Sequence, residues 1–324
     1  MALHREEGSA LRASALWPGP IPVGLALTFC LAVAMLILLP DGLGTVEAQT
    51  PVARVRAWPG DFPAAAVFSV DTEEDANNAV KAAKIFEEEG VRGTFYIVSE
   101  LLKVQKGIVT RLRSAGEIAI HGDTHLPFAN QPCEQQLGRL SRAKAILSQL
   151  SGAEVVGFRG AELAMDLNTL LALSALKLRY VGTFQLWGRI PSVMEYPKSA
   201  ASCGKGKKVL PAKFVLLPQP LHDDYRLFFI EGRSPLEALS IWEKELDRIL
   251  AEGGLFFFSS HTTPPWGLMH ANPGLLRQLV RAAKARGFWI APAAEIASWI
   301  LNWDKVKVKA KLKEGNRILV QVTN

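Results

Sequence analysis

The sequence predicts an α/β protein: a distorted (β/α) barrel of about seven strands, with an N-terminal apolar segment and a C-terminal β-hairpin. Between residues 62 and 303, apolar runs typical of buried strands alternate with amphipathic helical patterns, as a parallel sheet covered by helices requires. About seven or eight strand–helix units can be counted, which favours a closed or nearly closed barrel over an open sheet. No GxGxxG motif follows the first strand, and this argues against a dinucleotide-binding fold.

The individual elements follow from periodicity in chain order. The first helix shows the pattern, because Ala79, Ala83 and Phe86 share one face and Gly90 follows its end. The predicted strands span residues 64–70, 94–98, 117–121, 155–159, 180–184, 209–217, 254–260 and 288–291. The predicted helices span residues 76–89, 101–114, 133–150, 167–176, 235–250, 273–285 and 293–301. In residues 304–324 apolar side chains alternate with lysines before Gly315, and the apolar run 318–322 follows it, which predicts a β-hairpin.

The first 48 residues form a segment of their own. Ile21 to Leu39 contains no charged residue and is long enough to cross the hydrocarbon core of a bilayer, which takes roughly 20 helical residues. The length of the run favours a membrane anchor, whereas Val46 and Ala48 before Gln49 are typical of a signal-peptidase site. Either interpretation predicts an exported protein, anchored and facing outside or secreted after cleavage. Residues 49–61 are then a linker, 62–303 the barrel and 304–324 the extension.

Charge and cysteine content narrow the class of partner. The formal net charge is +6, and it rises to +8 for residues 49–324 because residues 1–48 carry two basic and four acidic side chains. A basic exported domain suits an anionic cell-envelope polymer, although ordinary solubilising charge explains it equally well. No basic motif interleaved with aromatic residues suggests a nucleic acid. Cys133 and Cys203 could form one disulfide, and neither belongs to a CxxC motif.

Polar residues with catalytic potential stand at the ends of several predicted strands. Working residues in a parallel α/β barrel lie at the carboxyl ends of the strands. The relevant strand ends carry Asp71 and Glu73 after the first strand, His121 and His125 after the third, Arg159 after the fourth and His261 after strand 254–260.

His121 and His125 predict a metal site. In the segment HGDTH, one helix-like turn of backbone would direct both imidazoles to the same side. With a carboxylate from another strand they would form a two-histidine, one-carboxylate site with open positions, suited to zinc or to cobalt, manganese or nickel. A pair of histidines at this spacing is by itself more often exposed or capping, so the matching strand ends carry the prediction.

Taken together, these strand ends resemble the motifs of the polysaccharide deacetylase domain (NodB homology, carbohydrate esterase family 4). Residues 68–73 (FSVDTE) look like its first motif, 121–125 (HGDTH) like its second, 157–159 (GFR) like its third and 259–261 (SSH) like its last. The motifs run in the same order and cover most of residues 62–300. The set is specific, although its individual members are not.

The resemblance implies a catalytic role for three residues. Asp71 would be the general base, and Arg159 would orient it. His261 would be the general acid that protonates the leaving amine. Backbone N–H groups near Gly160 and Ala161 could add a contact to the developing oxyanion.

The sequence departs from the family pattern at the carboxylate that would bind the metal. The family usually has two adjacent aspartates, whereas Thr72 follows Asp71 here. A carboxylate two residues further on points to the same side of an extended chain, so Glu73 is the predicted third ligand beside the two histidines. Glu74 and Asp75 are the alternatives.

Two further departures concern the third and fourth motifs. The usual proline after the arginine is absent, and the segment GAE that replaces it ends in Glu162, which could approach the site or lie in a surface loop. The fourth motif's aspartate is missing from residues 180–184, so the acidic pair that ends in Asp224 could bring a carboxylate to His261 instead. Asp224 and Trp266 are also predicted to contact substrate, Trp266 by stacking on a sugar ring.

The prediction that results is a metal-dependent hydrolase of carbon–nitrogen bonds other than peptide bonds. It would remove N-acetyl or O-acetyl groups from peptidoglycan or another acetylated polysaccharide of the cell envelope. One alternative is an allantoinase- or imidase-like enzyme for small amides, against which export argues. The other is a non-catalytic carbohydrate-binding barrel, against which the joint presence of base, ligands and acid argues.

Overall fold

A computed structural model describes residues 57–105, 107–183, 191–195, 203, 213–219, 222–313 and 317–323. Its strands are β1 (Ala65–Thr72), β2 (Gly93–Val98), β3 (Gly116–Gly122), β4 (Gly157–Phe158), β5 (Tyr180–Thr183), β6 (Ser192–Glu195), β7 (Lys213–Pro218), β8 (Leu255–His261), β9 (Trp289–Ile290), β10 (Lys307–Lys313) and β11 (Arg317–Thr323). Its α-helices are α1 (Ala76–Glu88), α2 (Ile108–Ala115), α3 (Cys133–Ser151), α4 (Leu167–Ala175), α5 (Pro235–Glu252), α6 (Leu268–Ala271), α7 (Pro273–Ala285) and α8 (Ala293–Trp303). Short 3₁₀ helices span Ser99–Lys103 and Ala161–Leu163, and a π-helical turn spans Tyr225–Ile230.

The main sheet has the strand order β6-β7-β5-β4-β3-β2-β1-β8, with β9 paired to the first residues of β1. All neighbours are parallel except β6, which runs antiparallel to β7. Asp71 at the end of β1 is in register with His261 at the end of β8 and with Tyr96 of β2. The carboxyl ends of these strands therefore lie at the same edge of the sheet.

This sheet is strongly curled. Arg159 follows β4, which stands three strand positions from β1, and a flat sheet would separate these strands by about 14 Å. Nevertheless an Arg159 Nη1 atom lies 2.6 Å from Asp71 Oδ1 and 2.7 Å from Ser259 Oγ of β8. The strand ends can meet in this way only if the sheet bends into a half-barrel.

The predicted α/β class with a curled parallel sheet is confirmed, whereas the sheet path among the described strands is open. β7 and β8 are not hydrogen-bonded neighbours. β6 pairs with the edge of β7 to which β8 would have to bond in order to close the barrel. The barrel is consequently a half-barrel, and Asp224 of the chain that follows β7 hydrogen-bonds to His261 at the end of β8.

Side chains alternate between two apolar layers, as the two-residue period of a strand requires. In β1, Ala66, Phe68 and Val70 pack on the outer side with residues of α1, α2, α3, α5 and α7. Ala65 and Val67 face the inner layer, which is closed by α8. Helices therefore cover one face of the sheet while the curl and α8 cover the other.

Most predicted elements are present, and the differences have physical causes. The predicted helix over 101–114 is divided into a 3₁₀ turn and α2, and α2 begins after Gly107, a residue with poor helix propensity. The predicted strand over 155–159 shortens to Gly157–Phe158. β6 and the π-helical turn were not predicted, because short exposed segments lack a clear period. The C-terminal hairpin is confirmed, with Lys307 of β10 opposite Thr323 of β11.

The covalent and membrane predictions have different outcomes. Cys133 at the start of α3 is bonded to Cys203, with their Cα atoms 5.4 Å apart, so the disulfide that the sequence left open is present. Ile21 to Leu39, the predicted anchor or signal, lies outside the described residues. Within the described part of the chain, no helix has both the length and the apolar character needed to cross a membrane.

Candidate active site

The carboxyl ends of β1, β3 and β8 and the chain after β4 and β7 surround a cavity of about 440 Å³. Six of the predicted site residues line it, namely Asp71, Glu73, His121, His125, His261 and Trp266. The other two predicted residues, Arg159 and Asp224, are fully buried behind this wall. The structure thus brings together residues that are up to 195 positions apart in the sequence.

Glu73, His121 and His125 form a compact group of three metal-ligating side chains. Their candidate ligand atoms all lie within 4.8 Å of one another. Glu73 Oε1 is 3.2 Å from His121 Nε2 and 2.9 Å from His125 Nε2. Burial opposes ionisation of Glu73, but hydrogen bonds from His121 and His125 outweigh it and hold the pKa of this carboxyl well below its usual range. The hydrogen bond between Glu73 and His125 raises the pKa of the His125 imidazole.

The donor set and its orientation fit a divalent cation such as zinc. Two imidazole nitrogens and one carboxylate oxygen are one of the three-ligand sets with which zinc keeps an open coordination position. His121 Nδ1 donates to the carbonyl oxygen of Arg159 at 2.9 Å, so Nε2 offers a lone pair to a metal once it gives up the proton that it shares with Glu73. Glu73 Oε2 is held from the other side by the hydroxyl of Thr263 at 2.7 Å.

A tight loop sets the spacing of the two histidines. Gly122 has φ of +140°, and a Cβ atom there would lie only 2.5 Å from the carbonyl oxygen of Thr124, so the turn requires glycine. Asp123 points away from the cavity and accepts a 2.7 Å hydrogen bond from Arg139 Nε. The same guanidinium donates to the carbonyl oxygens of Leu126 and Pro127. Arg139 therefore ties the loop that carries His125 to helix α3.

Asp71 is held by a buried cation. Arg159 is fully buried, and its Nη1 donates to Asp71 Oδ1 at 2.6 Å and to Ser259 Oγ at 2.7 Å. Its Nη2 donates to Ser69 Oγ at 2.9 Å. This cation neutralises Asp71 and fixes its orientation, so Glu73 is the better placed of the two carboxylates to serve the metal.

Two aromatic rings pack against the Arg159 guanidinium. Its Cζ atom lies 4.1 Å from the centre of the Tyr96 ring and 4.7 Å from that of Phe257. Such contacts stabilise a buried guanidinium electrostatically. Gly182 of β5 leaves space for it, because a Cβ atom at that position would lie 3.2 Å from both Arg159 Nε and Phe257.

A second carboxylate holds His261 from behind. Asp224 Oδ1 lies 2.5 Å from His261 Nδ1, while Oδ2 accepts hydrogen bonds from the backbone N–H groups of His261 and Leu268 at 2.8 and 2.7 Å. Burial alone would lower the pKa of His261, but the charge and hydrogen bond of Asp224 raise it well above its ordinary value. With Nδ1 engaged, Nε2 is the atom directed at the cavity, 3.7 Å from Asp71 Oδ2.

Two sequence predictions about the acidic pair have different outcomes. Asp224 does bring a carboxylate to His261, in place of the aspartate missing from residues 180–184. Its predicted contact with substrate is not what the structure shows, because Asp224 is fully buried and both of its oxygens are engaged by His261 and the backbone. The cavity wall carries Asp223 instead.

Sequence reasoning noted Asp223 only as part of the acidic pair and missed Gln219 and Tyr225 of the cavity wall. Gln219, Asp223 and Tyr225 line it, and the predicted candidate Glu162 does so as well. The signal that could have found the first three is the position of residues 219–225 just after the apolar run that forms β7. Glu162 and Leu163 both adopt left-handed backbone conformations, with φ of 55° and 54°, which is unusual for residues with a side chain and typical of functional loops.

Comparison with known proteins agrees with this geometry. Residues 64–181 match the family model described as polysaccharide deacetylase. No curated protein matches the chain. A candidate polysaccharide deacetylase from Mycobacterium smegmatis is similar in structure, with a TM-score of 0.65 at 20% identity over 79% of this chain and 96% of the other. A candidate polysaccharide deacetylase from Pseudomonas aeruginosa PAO1 gives a TM-score of 0.63 at 16% identity, covering 82% and 98% of the two chains. Puue allantoinase gives a TM-score of 0.59 at 16% identity, covering 81% of this chain and 97% of the other.

The fold and the site define a hydrolase of the curled α/β class with a two-histidine, one-carboxylate group at its strand ends. At these low identities the solved structures establish the shared fold, and the family match adds the assignment. The matched residues 64–181 contain the strand ends that carry Asp71, His121 and Arg159, so the resemblance to the polysaccharide deacetylase domain predicted from them is confirmed over that range. Enzymes with this domain are carbohydrate esterases that act on acetyl groups.

Proposed function

We propose that this protein is an exported, metal-dependent deacetylase that removes N-acetyl groups from an acetylated cell-envelope polysaccharide. One observation carries the proposal. Asp71, held by Arg159, and His261, held by Asp224, face each other across 3.7 Å beside the metal-ligating group in a single cavity. Export rests on the apolar segment that precedes the domain.

Glu73, His121 and His125 would hold the metal. When bound there, a divalent cation supplies a Lewis acid for the acetyl carbonyl and lowers the pKa of water. A metal held by these three side chains would keep coordination positions open to water and substrate. Thr263 and the Arg159 carbonyl oxygen keep Glu73 and His121 in the orientation that binding needs.

Asp71 is suited to act as the general base. Its Oδ1 is occupied by Arg159, while Oδ2 faces His261 and the cavity. In the first half of the reaction Asp71 accepts a proton from the attacking water as the water oxygen bonds to the acetyl carbon. Arg159 keeps the carboxylate in place and balances its charge in surroundings that exclude water.

His261 is suited to act as the general acid. Its ring is fixed by Asp224 at Nδ1, so Nε2 can donate a proton to the departing nitrogen as the carbon–nitrogen bond breaks. The products are acetate and a free amine on the sugar. The arrangement repeats the logic of a held histidine with a carboxylate behind it, which sets the tautomer and supports the charged form.

Acetate release is the direct test. We expect the full chain to release acetate from N-acetylglucosamine oligomers or peptidoglycan, to lose this activity on chelation and to regain it with added zinc or cobalt. Allantoin is the matched small-amide substrate. Turnover of allantoin without turnover of any glycan would assign the site to small amides, and tight metal binding with no turnover of either would assign it to a non-catalytic barrel.

A further inference from the structure

The C-terminal hairpin stands apart from the main sheet. β10 and β11 form a separate two-stranded sheet, paired from Lys307 opposite Thr323 to Lys313 opposite Arg317. Neither apolar layer of the half-barrel includes a described residue of these two strands. A two-stranded hairpin is at best marginally stable in water unless it packs against another surface. The two apolar layers of the described structure do not supply that surface.

The sequence of the hairpin is amphipathic. Residues 305–324 contain six basic side chains and one acidic side chain, and lysine occupies every second position from Lys305 to Lys313. The positions between these lysines are all apolar, as are four of the seven positions of β11. Because side chains along a strand alternate between two faces, a pattern of period two separates charge from apolar surface.

The described side chains of the hairpin leave both kinds of group uncovered. Lys305, Lys307 and Lys309 are exposed and form no ion pair. Val320, which stands opposite Ala310, is 47% exposed although it is apolar. A solvated face explains exposed lysines but not an exposed valine, whereas an ordinary protein interface explains the valine but not the unpaired lysines.

The hairpin begins at the end of the sheet that is opposite to the cavity. Asp304, between α8 and the hairpin, accepts a 2.9 Å hydrogen bond from Lys213 at the start of β7. The chain enters the half-barrel on the same side, because Trp299 Nε1 of α8 donates to the carbonyl oxygen of Ala57 at 2.8 Å. Trp303 at the end of α8 is 43% exposed. The start of the hairpin and the entry of the chain thus lie together at the amino ends of the strands.

The sequence that precedes Ala57 favours a bilayer as the surface that covers this side. The apolar segment Ile21 to Leu39 is separated from Ala57 by 17 residues, which reach at most about 60 Å when fully extended. An anchored chain would therefore keep the amino ends of the strands within reach of the membrane. Basic side chains next to a membrane segment are attracted by anionic lipids, and exposed tryptophan is typical of the interface. A soluble anionic polymer would pair with the lysines but would leave the apolar positions in water.

We propose that the hairpin docks the protein on a bilayer that contains anionic phospholipid. Its apolar positions enter the interface, and its lysines lie at the level of the lipid phosphates. Because the cavity lies at the carboxyl ends of the strands, docking turns the active site away from the membrane and toward polymer beyond it. This inference goes beyond the proposed chemistry, since it requires export but no catalytic residue.

Amide hydrogen exchange in residues 307–323 measures docking locally. The full chain is reconstituted in nanodiscs of phosphatidylcholine, with or without phosphatidylglycerol, so that any contribution of the apolar segment is common to both. We expect phosphatidylglycerol to slow exchange in the hairpin about tenfold, which corresponds to a docked state occupied roughly nine-tenths of the time. Salt at about 0.5 M should remove the effect, because it screens the lysines from the lipid phosphates.

Two matched double variants test the role of the lysines. A basic side chain near an anionic membrane strengthens binding roughly fivefold, so Lys307→Gln with Lys309→Gln should weaken docking about 25-fold and abolish the slowing. Lys81→Gln with Lys244→Gln is the control, because these exposed lysines of α1 and α5 give the same change in net charge. The control should keep the tenfold slowing. Both double variants should release acetate from soluble N-acetylglucosamine oligomers at the rate of the unsubstituted chain.

The other possible occupants give different results. Equal slowing with and without phosphatidylglycerol, or equal loss in the two double variants, overturns docking through the hairpin lysines. Slowing by soluble polyglycerol phosphate but not by phosphatidylglycerol assigns the hairpin to an anionic polymer and overturns the inference. Slowing in neutral detergent that grows with protein concentration assigns it to a second copy of the chain and also overturns it. Lipid-dependent slowing without acetate release from any glycan would overturn the proposed function and leave docking in place.

Discussion

At the scale of single residues, the site depends on how each working side chain is held. Asp71 and His261 would be ordinary polar residues if Arg159 and Asp224 did not fix them. Arg159 in turn is enclosed by Tyr96 and Phe257, so its charge is available to Asp71 without competition from water. The chemistry proposed above thus requires burial of one cation and one anion behind the cavity wall.

Asp71→Asn should separate metal binding from catalysis. The amide keeps the size of the carboxylate, and Glu73, His121 and His125 are unchanged, so we expect zinc affinity to stay within about threefold. Loss of the base should lower kcat by about 10²–10⁴-fold, the contribution typical of general base catalysis. Acetate release and zinc titration are measured on the same preparations.

His125→Ala is the counterpart, and it should abolish metal binding by removing one of three ligands. Retained turnover in Asp71→Asn would contradict the base assignment. Retained zinc binding in His125→Ala would contradict the metal group.

The sequence predicted most of this site because its residues stand at strand ends in a recognisable order. It favoured Glu73 but left Glu74 and Asp75 as alternatives, since that choice depends on the direction of side chains beyond the strand. It also could not show that Asp224 lies behind His261, because nothing in residues 219–225 fixes how that segment crosses the gap beside β8. For Gln219 the sequence offers only its position directly after the apolar run of β7.

At the scale of elements, the loop between β3 and α3 decides whether the two histidines can act together. Arg139 of α3 holds it through Asp123, Leu126 and Pro127. The helix is thereby a support for His125 as well as a cover for the sheet. Sequence periodicity predicted α3 but gave no reason for an inward-facing arginine at position 139.

Arg139→Met should weaken metal binding while leaving the ligands in place. Methionine retains the apolar stem but cannot donate to the loop, so His125 is no longer fixed. We expect zinc affinity to fall about 10-fold to 100-fold, as is typical when groups that orient metal ligands are removed. Zinc affinity is measured by competition with a chelator of known strength.

Arg142→Met is the matched control for this prediction. Arg142 binds the other oxygen of Asp123 at 2.7 Å, but its side chain is 62% exposed and exposed ion pairs contribute little. Equal effects of the two substitutions would show that positive charge near Asp123 supports the metal group, and that the hydrogen bonds from Arg139 to the Leu126 and Pro127 carbonyl oxygens do not.

At the scale of the whole molecule, the curl of the sheet is what makes a site from separate strands. Alternating strand and helix patterns predicted the parallel sheet, yet a closed barrel and a half-barrel have the same alternation. The difference lies in β6, a four-residue exposed strand whose pairing covers the edge of β7. Elements this short are fixed by their neighbours and not by their own periodicity, so the sequence could not predict them.

The opposite end of the sheet is tied together by one partly buried carboxylate. Glu117 at the start of β3 accepts hydrogen bonds from Tyr180 of β5 at 2.8 Å, Thr94 of β2 at 3.2 Å and the Ala294 N–H of α8 at 2.8 Å. Burial raises the pKa of Glu117 to about 7, and these hydrogen bonds offset only part of that effect. Two strands and a helix therefore depend on the protonation of a residue far from the cavity.

This carboxylate should make the protein's stability fall with pH over a defined window. In the unfolded chain Glu117 loses its proton near its ordinary pKa of 4.5, whereas in the folded protein it does so near about 7. Its contribution to stability is therefore fully present below pH 4.5 and is lost as pH rises through about 7. Glu117→Gln cannot titrate, so the free energy of unfolding of the variant should rise relative to that of the wild type by about 1–3 kcal/mol across this window.

Urea unfolding of the two zinc-loaded proteins at several pH values measures the difference, and all other titrating groups are common to both. Glutamine also replaces two of the accepting lone pairs by donors, which lowers the stability of the variant by an amount that does not change with pH. The informative quantity is therefore the slope of the difference and not its value at one pH. A difference that is constant or that falls with rising pH would mean that the three hydrogen bonds keep Glu117 ionised in the folded state, and the strands around it would then be joined by a charged group.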